Sequence, residues 1–260
     1  MPVPARRPLP PPYGTAVFDC DSTLARIEGI EALTALDPPA TGREEQIRAL
    51  TERAMRGAVP LEDVYGRRLA LLRPSAAQVR RLGAAYVAAL LPNVRELVAA
   101  LTALGKRVCI VSGGLAGPVR ELARAIGVRE SEVYAVEVEH DAEGRYVDFD
   151  RASPLARAGG KLAVLRGIGA GPSAAPPLVL VGDGATDLEA APACARFVGF
   201  GGVVARPEVL AAADVDCREP DFAALLPYLC DARELARLEA APEHSDLVRR
   251  ARALTPSSPD

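Results

Sequence analysis

The chain has 260 residues, 49% of them apolar, so it can bury one sizeable core or a domain with an insert. A formal net charge of −3 and the absence of Trp point away from nucleic acid and from anionic membrane surfaces as partners. Two histidines nearly exclude a His-based zinc site or a Ser–His–Asp triad, and five scattered cysteines without a C-x-x-C pair read as free buried thiols in a reducing compartment.

The first segment, residues 1–14, is a Pro-rich arm without the apolar stretch of a secretory signal, and the cytoplasm is the expected location. Thr15 to Cys20 (TAVFDC) reads as a short apolar strand carrying Asp19, followed by Asp21, Ser22 and Thr23. Acids and hydroxyls at a strand's C-terminal end suit the ligand-binding edge of an open α/β sheet. Residues 25–91 then show apolar residues at helical spacing, broken at Pro38-Pro39, Gly57 to Pro60 and Pro74-Ser75, with Ser75 a plausible N-cap.

Strand–helix alternation resumes at Pro92. Arg107 to Val111 is a second buried strand, ending in Ser112-Gly113-Gly114. Val133 to Phe149 alternates around a turn at Asp141 to Gly144 and predicts a small β-hairpin. Pro177 to Val181 is a third buried strand, ending in Gly182-Asp183-Gly184, and Phe197 to Phe200 a fourth. This order predicts an α/β fold: a Rossmann-like parallel-sheet core over residues 15–24 and 92–230, and an inserted helical cap over 25–91. Residues 231–260 read as a polar, helical C-terminal tail.

Four segments near strand ends carry chemistry-bearing residues. In Asp19-Cys20-Asp21-Ser22-Thr23, residues i and i+2 of an extended chain point the same way, so Asp19 and Asp21 share a face. Two such carboxylates repel unless a cation or a shared proton intervenes, and oxygen ligands suit Mg²⁺. A lone D-x-D is equally a loop of turn-forming acids. Ser112-Gly113-Gly114 can form an oxyanion-binding nest or an ordinary turn. Lys161, in Gly159-Gly160-Lys161, can neutralise a phosphate or be a solvated surface lysine. Gly182-Asp183-Gly184-Ala185-Thr186-Asp187 adds paired acids that a β-turn does not explain. Together they supply a nucleophile, a cation site, an oxyanion nest and a cationic side chain, the parts phosphoryl transfer needs. No G-x-x-x-x-G-K-[ST] loop is present, so a P-loop is not supported.

The order D-x-D-S-T, S-G-G, G-G-K and G-D-G-A-T-D resembles the haloacid dehalogenase superfamily, and within it the members that hydrolyse O-phospho-L-serine in serine biosynthesis. Glu28-Gly29-Ile30, the stretch from Thr51 to Pro60, Arg68-Leu69-Ala70-Leu71 and Gly199 to Gly202 extend the likeness over about residues 15–228. The resemblance implies Asp19 as nucleophile, forming an aspartyl-phosphate, and Asp21 as acid to the leaving oxygen and then base to water. It implies a Mg²⁺ site from Asp19, the Asp21 carbonyl and Asp183. Asp187 would support the metal or Lys161. Ser112, Gly113, Gly114, Lys161 and Thr186 would surround the phosphate, Glu28 would bind the substrate ammonium, and Arg68 its carboxylate. Met55 and Arg56 would wall the pocket, with Arg56 standing where better-known members have Gly. Phosphohomoserine, phosphoethanolamine or a phosphosugar is an alternative substrate. A Glu28–Arg68 salt bridge is an alternative role for that pair, and a catalytically silent binding module an alternative for the whole chain. No nucleic-acid or membrane partner is expected, and monomer and homodimer both stay open.

Overall fold

A computed structural model describes residues 8–36, 46–47, 50 and 61–254. Its centre is a six-stranded, all-parallel sheet of order β3-β2-β1-β6-β7-β8. The strands are β1 (Thr15–Phe18), β2 (Arg107–Leu115), β3 (Val133–Val136), β6 (Leu178–Gly182), β7 (Arg196–Phe200) and β8 (Val215–Cys217). Strands covered on both faces must be apolar on both, and the burial follows that rule. Ala16, Phe18, Val108, Ile110, Val179 and Val181 enter one core layer, while Val17, Cys109, Val111, Leu178 and Leu180 enter the other. Helices α4 (Val94–Ala103) and α5 (Ala116–Ile126) cover the first face. Helices α6 (Gly160–Ala170), α7 (Ala185–Ala190) and α8 (Pro207–Ala212) cover the second. All five cysteines are buried and free.

The chain winds from β1 outward through β2 to β3, returns to β6 on the other side of β1, and winds outward again through β7 to β8. The direction of winding reverses between β1 and β6. At such a switch point the loops after neighbouring strands diverge and leave a crevice at the sheet's C-terminal edge. Asp19 follows β1 and Asp183 follows β6, so both stand at that crevice. Among the described residues, the helices between β1 and α4 are α1 (Gly29–Ala35), α2 (Leu61–Leu72) and α3 (Ala76–Ala88). Ser75 caps α3: its Oγ accepts from Gln78 N at 3.3 Å while Gln78 Oε1 accepts from Ser75 N at 2.8 Å, satisfying two otherwise unpaired donors.

Two expectations need correction. Val133 to Phe149 is not one hairpin. Val133–Val136 leaves it to pair in parallel with β2, and only β4 (Val138–His140) and β5 (Tyr146–Phe149) form the antiparallel pair. Alternation alone carries no information about which strand is the partner. The segment from residue 231, read as a polar helical tail, is helical through residue 254 but packed, as α10 (Ala232–Ala240) and α11 (Pro242–Leu254), which follow the short α9 (Leu226–Leu229). Leu238, Leu247, Val248 and Ala251 join the first core layer. Buried Asp221 accepts from Asn93 Nδ2 at 2.7 Å and from Arg250 Nε at 2.8 Å, linking the start of α4 to α11. The start of the core is fastened as well: buried Lys106 donates to the carbonyl of Tyr13 and pairs with Glu234 of α10. The amphipathic spacing of these helices, rather than their mean polarity, decides that they pack.

Because Leu247 is 4% exposed, Leu247→Ala removes apolar burial and leaves a cavity. Stability to guanidinium denaturation is expected to fall by about 2–4 kcal/mol. An unpacked tail would show no change.

Candidate active site

The residues singled out from the four segments converge, together with Glu28 and Arg68. Asp19, Asp21, Glu28, Arg68, Ser112, Gly113, Gly114, Lys161, Asp183, Thr186 and Asp187 all line one cavity of about 260 Å³ at the switch point. Met55 and Arg56 lie outside the described residues.

The floor is a buried ionic cluster. Lys161, on the first turn of α6, donates through Nζ to Asp19 Oδ1 and to Asp187 Oδ1, each at 2.6 Å. Burial pulls the Lys161 ammonium down, but the Asp187 and Asp19 carboxylates more than reverse this, so it stays charged. The alternative of a solvated surface lysine is thereby excluded. Asp187 Oδ2 accepts from Gly184 N at 3.0 Å at the start of α7, and its carboxylate occupies the space a Cβ on Gly182 would need. Glycine at 182 is therefore required by packing. Asp183 is also buried. Its Oδ1 accepts from Thr23 Oγ1 at 3.0 Å, and its Oδ2 pairs with Arg206.

Asp21 sits in a different environment. Gly29 N donates to its Oδ2 at 3.0 Å, and the Tyr86 hydroxyl donates to its Oδ1. Burial pushes the Asp21 carboxyl up to about 7; the Tyr86 hydrogen bond opposes the rise, and the Asp19 charge adds to it. On the side of Ser112-Gly113-Gly114, β2 continues through Ser112 to Leu115, with its pairing to β3 interrupted between Val111 and Leu115. Ser112 Oγ accepts from Gly114 N at 2.9 Å.

Glu28 and Arg68 face the same cavity without pairing with each other. Glu28 Oε1 accepts from Ser22 Oγ at 2.7 Å and meets Arg206 Nη2 at 3.4 Å, whereas Arg68 Nη2 lies 3.6 Å from Glu31. The arrangement differs from a simple Glu28–Arg68 salt bridge.

Two residues escape the sequence reading. Arg206 comes from the loop after β7 and touches both Asp183 and Glu28. Its signal was available: the loops that follow the parallel strands beside the switch point open toward the crevice, so a cation shortly after Phe200 is a candidate. Tyr86 has no such signal, because one aromatic in the Ala-rich α3 reads as core.

The donor set can be tested against a metal. Asp19, Asp183 and Asp187 each offer a carboxylate oxygen, and these atoms lie within 4.8 Å of one another. A buried, all-oxygen, anionic set fits a hard divalent cation. Lys161 and Arg206 balance only two of the three charges.

The model of the haloacid dehalogenase-like hydrolase family matches residues 16–192, and the chain belongs to that family. Among curated relatives, a protein named phosphoserine phosphatase from Mus musculus is 38% identical over 192 residues, covering 74% of this chain and 83% of the relative. A solved substrate-bound phosphoserine phosphatase complex superposes with a TM-score of 0.69 at 23% identity, covering 84% of this chain and 99% of the other; it speaks to the fold. A probable phosphoserine phosphatase from Vibrio cholerae gives a TM-score of 0.62 at 27% identity, covering 79% and 60%. The chain is thus a phosphatase of this family, whose members generally use a metal.

The Asp21 environment makes a pH prediction. An ordinary aspartate is ionised well below neutrality, whereas here the protonated form persists to about pH 7. A step that needs Asp21 as an acid is available below that value and lost as pH rises through it. kcat/KM for an alkyl phosphate is expected to fall about tenfold per pH unit on the alkaline side. A profile measured from pH 6 to 9 that stays flat would remove Asp21 from that role.

Proposed function

We propose that the chain is a Mg²⁺-dependent phosphatase that converts O-phospho-L-serine to L-serine and phosphate. The observation that carries the reading is one cavity holding a buried Asp19–Lys161–Asp187 cluster at its floor and unlike charges, Glu28 and Arg68, on its walls. The floor suits a phosphoryl group. The walls suit an ammonium and a carboxylate. The name of the Mus musculus relative adds independent support.

In this reading, an Asp19 oxygen attacks phosphorus while the bond to the serine oxygen breaks, and Asp21 gives that oxygen its proton. An aspartyl-phosphate results. Asp21, now a carboxylate, takes a proton from water as the water attacks phosphorus, and Asp19 is released. Lys161 holds Asp19 in place and, with Ser112, the Gly113 and Gly114 backbone and Thr186, faces the phosphoryl oxygens. Asp19, Asp183 and the Asp21 carbonyl would hold Mg²⁺, with Asp187 steadying Lys161. The ion, when bound, supplies positive charge against the charge that develops on the transferring group. Glu28 binds the ammonium and Arg68 the carboxylate. The insert over residues 25–91 acts as a cap that supplies Arg68 and sheds water from the site.

Phosphate release from phosphoserine in Mg²⁺ tests the reading. Activity is expected for the native chain and absent both in excess EDTA and in Asp19→Asn, whose amide cannot act as an anionic nucleophile. A screen that includes phosphohomoserine, phosphoethanolamine and sugar phosphates would overturn the assignment if one of these were the better substrate.

Specificity gives a separate prediction. Arg68 can pair bidentately with a carboxylate. Arg68→Ala is expected to lower kcat/KM on phosphoserine by about 30- to 1,000-fold, or about 2–4 kcal/mol, while sparing p-nitrophenyl phosphate, which has no carboxylate. Equal losses on both would make Arg68 structural.

A further inference from the structure

Tyr86 belongs to α3, far in sequence from the motifs, yet its hydroxyl lies where three of the site's segments meet. It donates to Asp21 Oδ1 in the loop after β1. It occupies the space that a Cβ on Gly29, at the start of α1, would need. A Cβ on Gly114, in the β2 segment beside Ser112, would stand 3.5 Å from it. The side chain is wholly buried. A phenol that only filled the core would not need its hydroxyl there, and burying a hydroxyl costs free energy unless it is hydrogen-bonded. Here the bond goes to the carboxyl group assigned the leaving-group proton.

We propose that Tyr86 is a positioning residue for Asp21: its hydroxyl, with Gly29 N–H on the other oxygen, holds the Asp21 carboxyl plane toward the scissile oxygen. A carboxyl group has about four lone-pair positions. The two donors take one on each oxygen, and one on each remains; one of these carries the proton that points to the leaving oxygen. The carboxyl is thereby kept from rotating about its χ2 bond. A phenol is protonated at neutral pH, so the Tyr86 hydroxyl is available as a donor. Because Tyr86 stands on α3 and Asp21 on the core loop, the same bond ties the helical insert to the catalytic group.

The inference rests on the reading of Asp21 as acid to the leaving group, and the test separates the two. Serine alkoxide is a poor leaving group and needs the proton; p-nitrophenolate leaves without it. kcat/KM reports the steps through departure of the leaving group. The ratio of kcat/KM values for the two substrates on one enzyme sample is independent of how much of that sample is folded. Asp21→Asn tests the reading itself: it should lose activity on phosphoserine far more than on p-nitrophenyl phosphate, and equal losses would overturn the acid role. With that established, Tyr86→Phe keeps the ring and removes only the donor. It is expected to lower kcat/KM on phosphoserine by about 10- to 100-fold, a part of what general acid catalysis supplies, and to change it by less than about threefold on p-nitrophenyl phosphate. An unchanged ratio of the two, whether both values fall together or neither falls, would overturn the positioning role.

Discussion

The rest of the site depends on one interaction, the bridge from Lys161 to Asp19 and Asp187. Three carboxylates buried within a few ångströms of one another lose hydration and repel one another, so the cluster needs compensating positive charge. Lys161 supplies a charge from α6 at hydrogen-bonding distance to two of them. Its position requires the first turn of α6 to reach both the loop after β1 and the first turn of α7. The parallel order of β1 and β6 arranges this. The ionic floor therefore constrains the sheet as much as the sheet builds the floor.

Against that floor, the two aspartates of the first motif are given opposite surroundings. Asp19 meets an ammonium. Asp21, two residues on, meets only neutral donors, a backbone amide and a phenol, and is deep enough for burial to favour its acid form. Environments that differ in this way can hold two carboxylates of one residue type in different protonation states, as the proposed nucleophile and acid require. The walls repeat the pattern with charge: Glu28 sits among Ser22 and Arg206, and Arg68 beside Glu31, so neither is consumed by the other.

The core that carries this arrangement is closed by residues far from it. Lys106 fastens the carbonyl of Tyr13 to Glu234, and Asp221 fastens Asn93 to Arg250. Both contacts join distant parts of the chain on the first face of the sheet. They bring α10 and α11 into the same core layer as the inner strands. A buried polar group satisfied by partners this far apart in sequence exists only once the fold is complete.

The sequence by itself determined the three central strands and the acids at their ends. TAVF, RVCIV and LVLV are too apolar and too short to be anything but strands covered on both faces, and each runs into residues that line the cavity. Spacing alone placed Asp19, Asp21, Ser112, Lys161, Asp183 and Asp187 at strand ends and helix starts, because local periodicity is a property of the chain. Only the tertiary structure decided what those groups touch. That Val133–Val136 joins β2 rather than a hairpin, that α11 packs, that Arg206 reaches Asp183 and that Tyr86 reaches Asp21 are pairings between residues distant in sequence, 23 apart for Arg206 and Asp183 and 65 for Tyr86 and Asp21. No local pattern encodes them. They follow from which surfaces remain unburied, and which donors remain unpaired, after the sheet has formed.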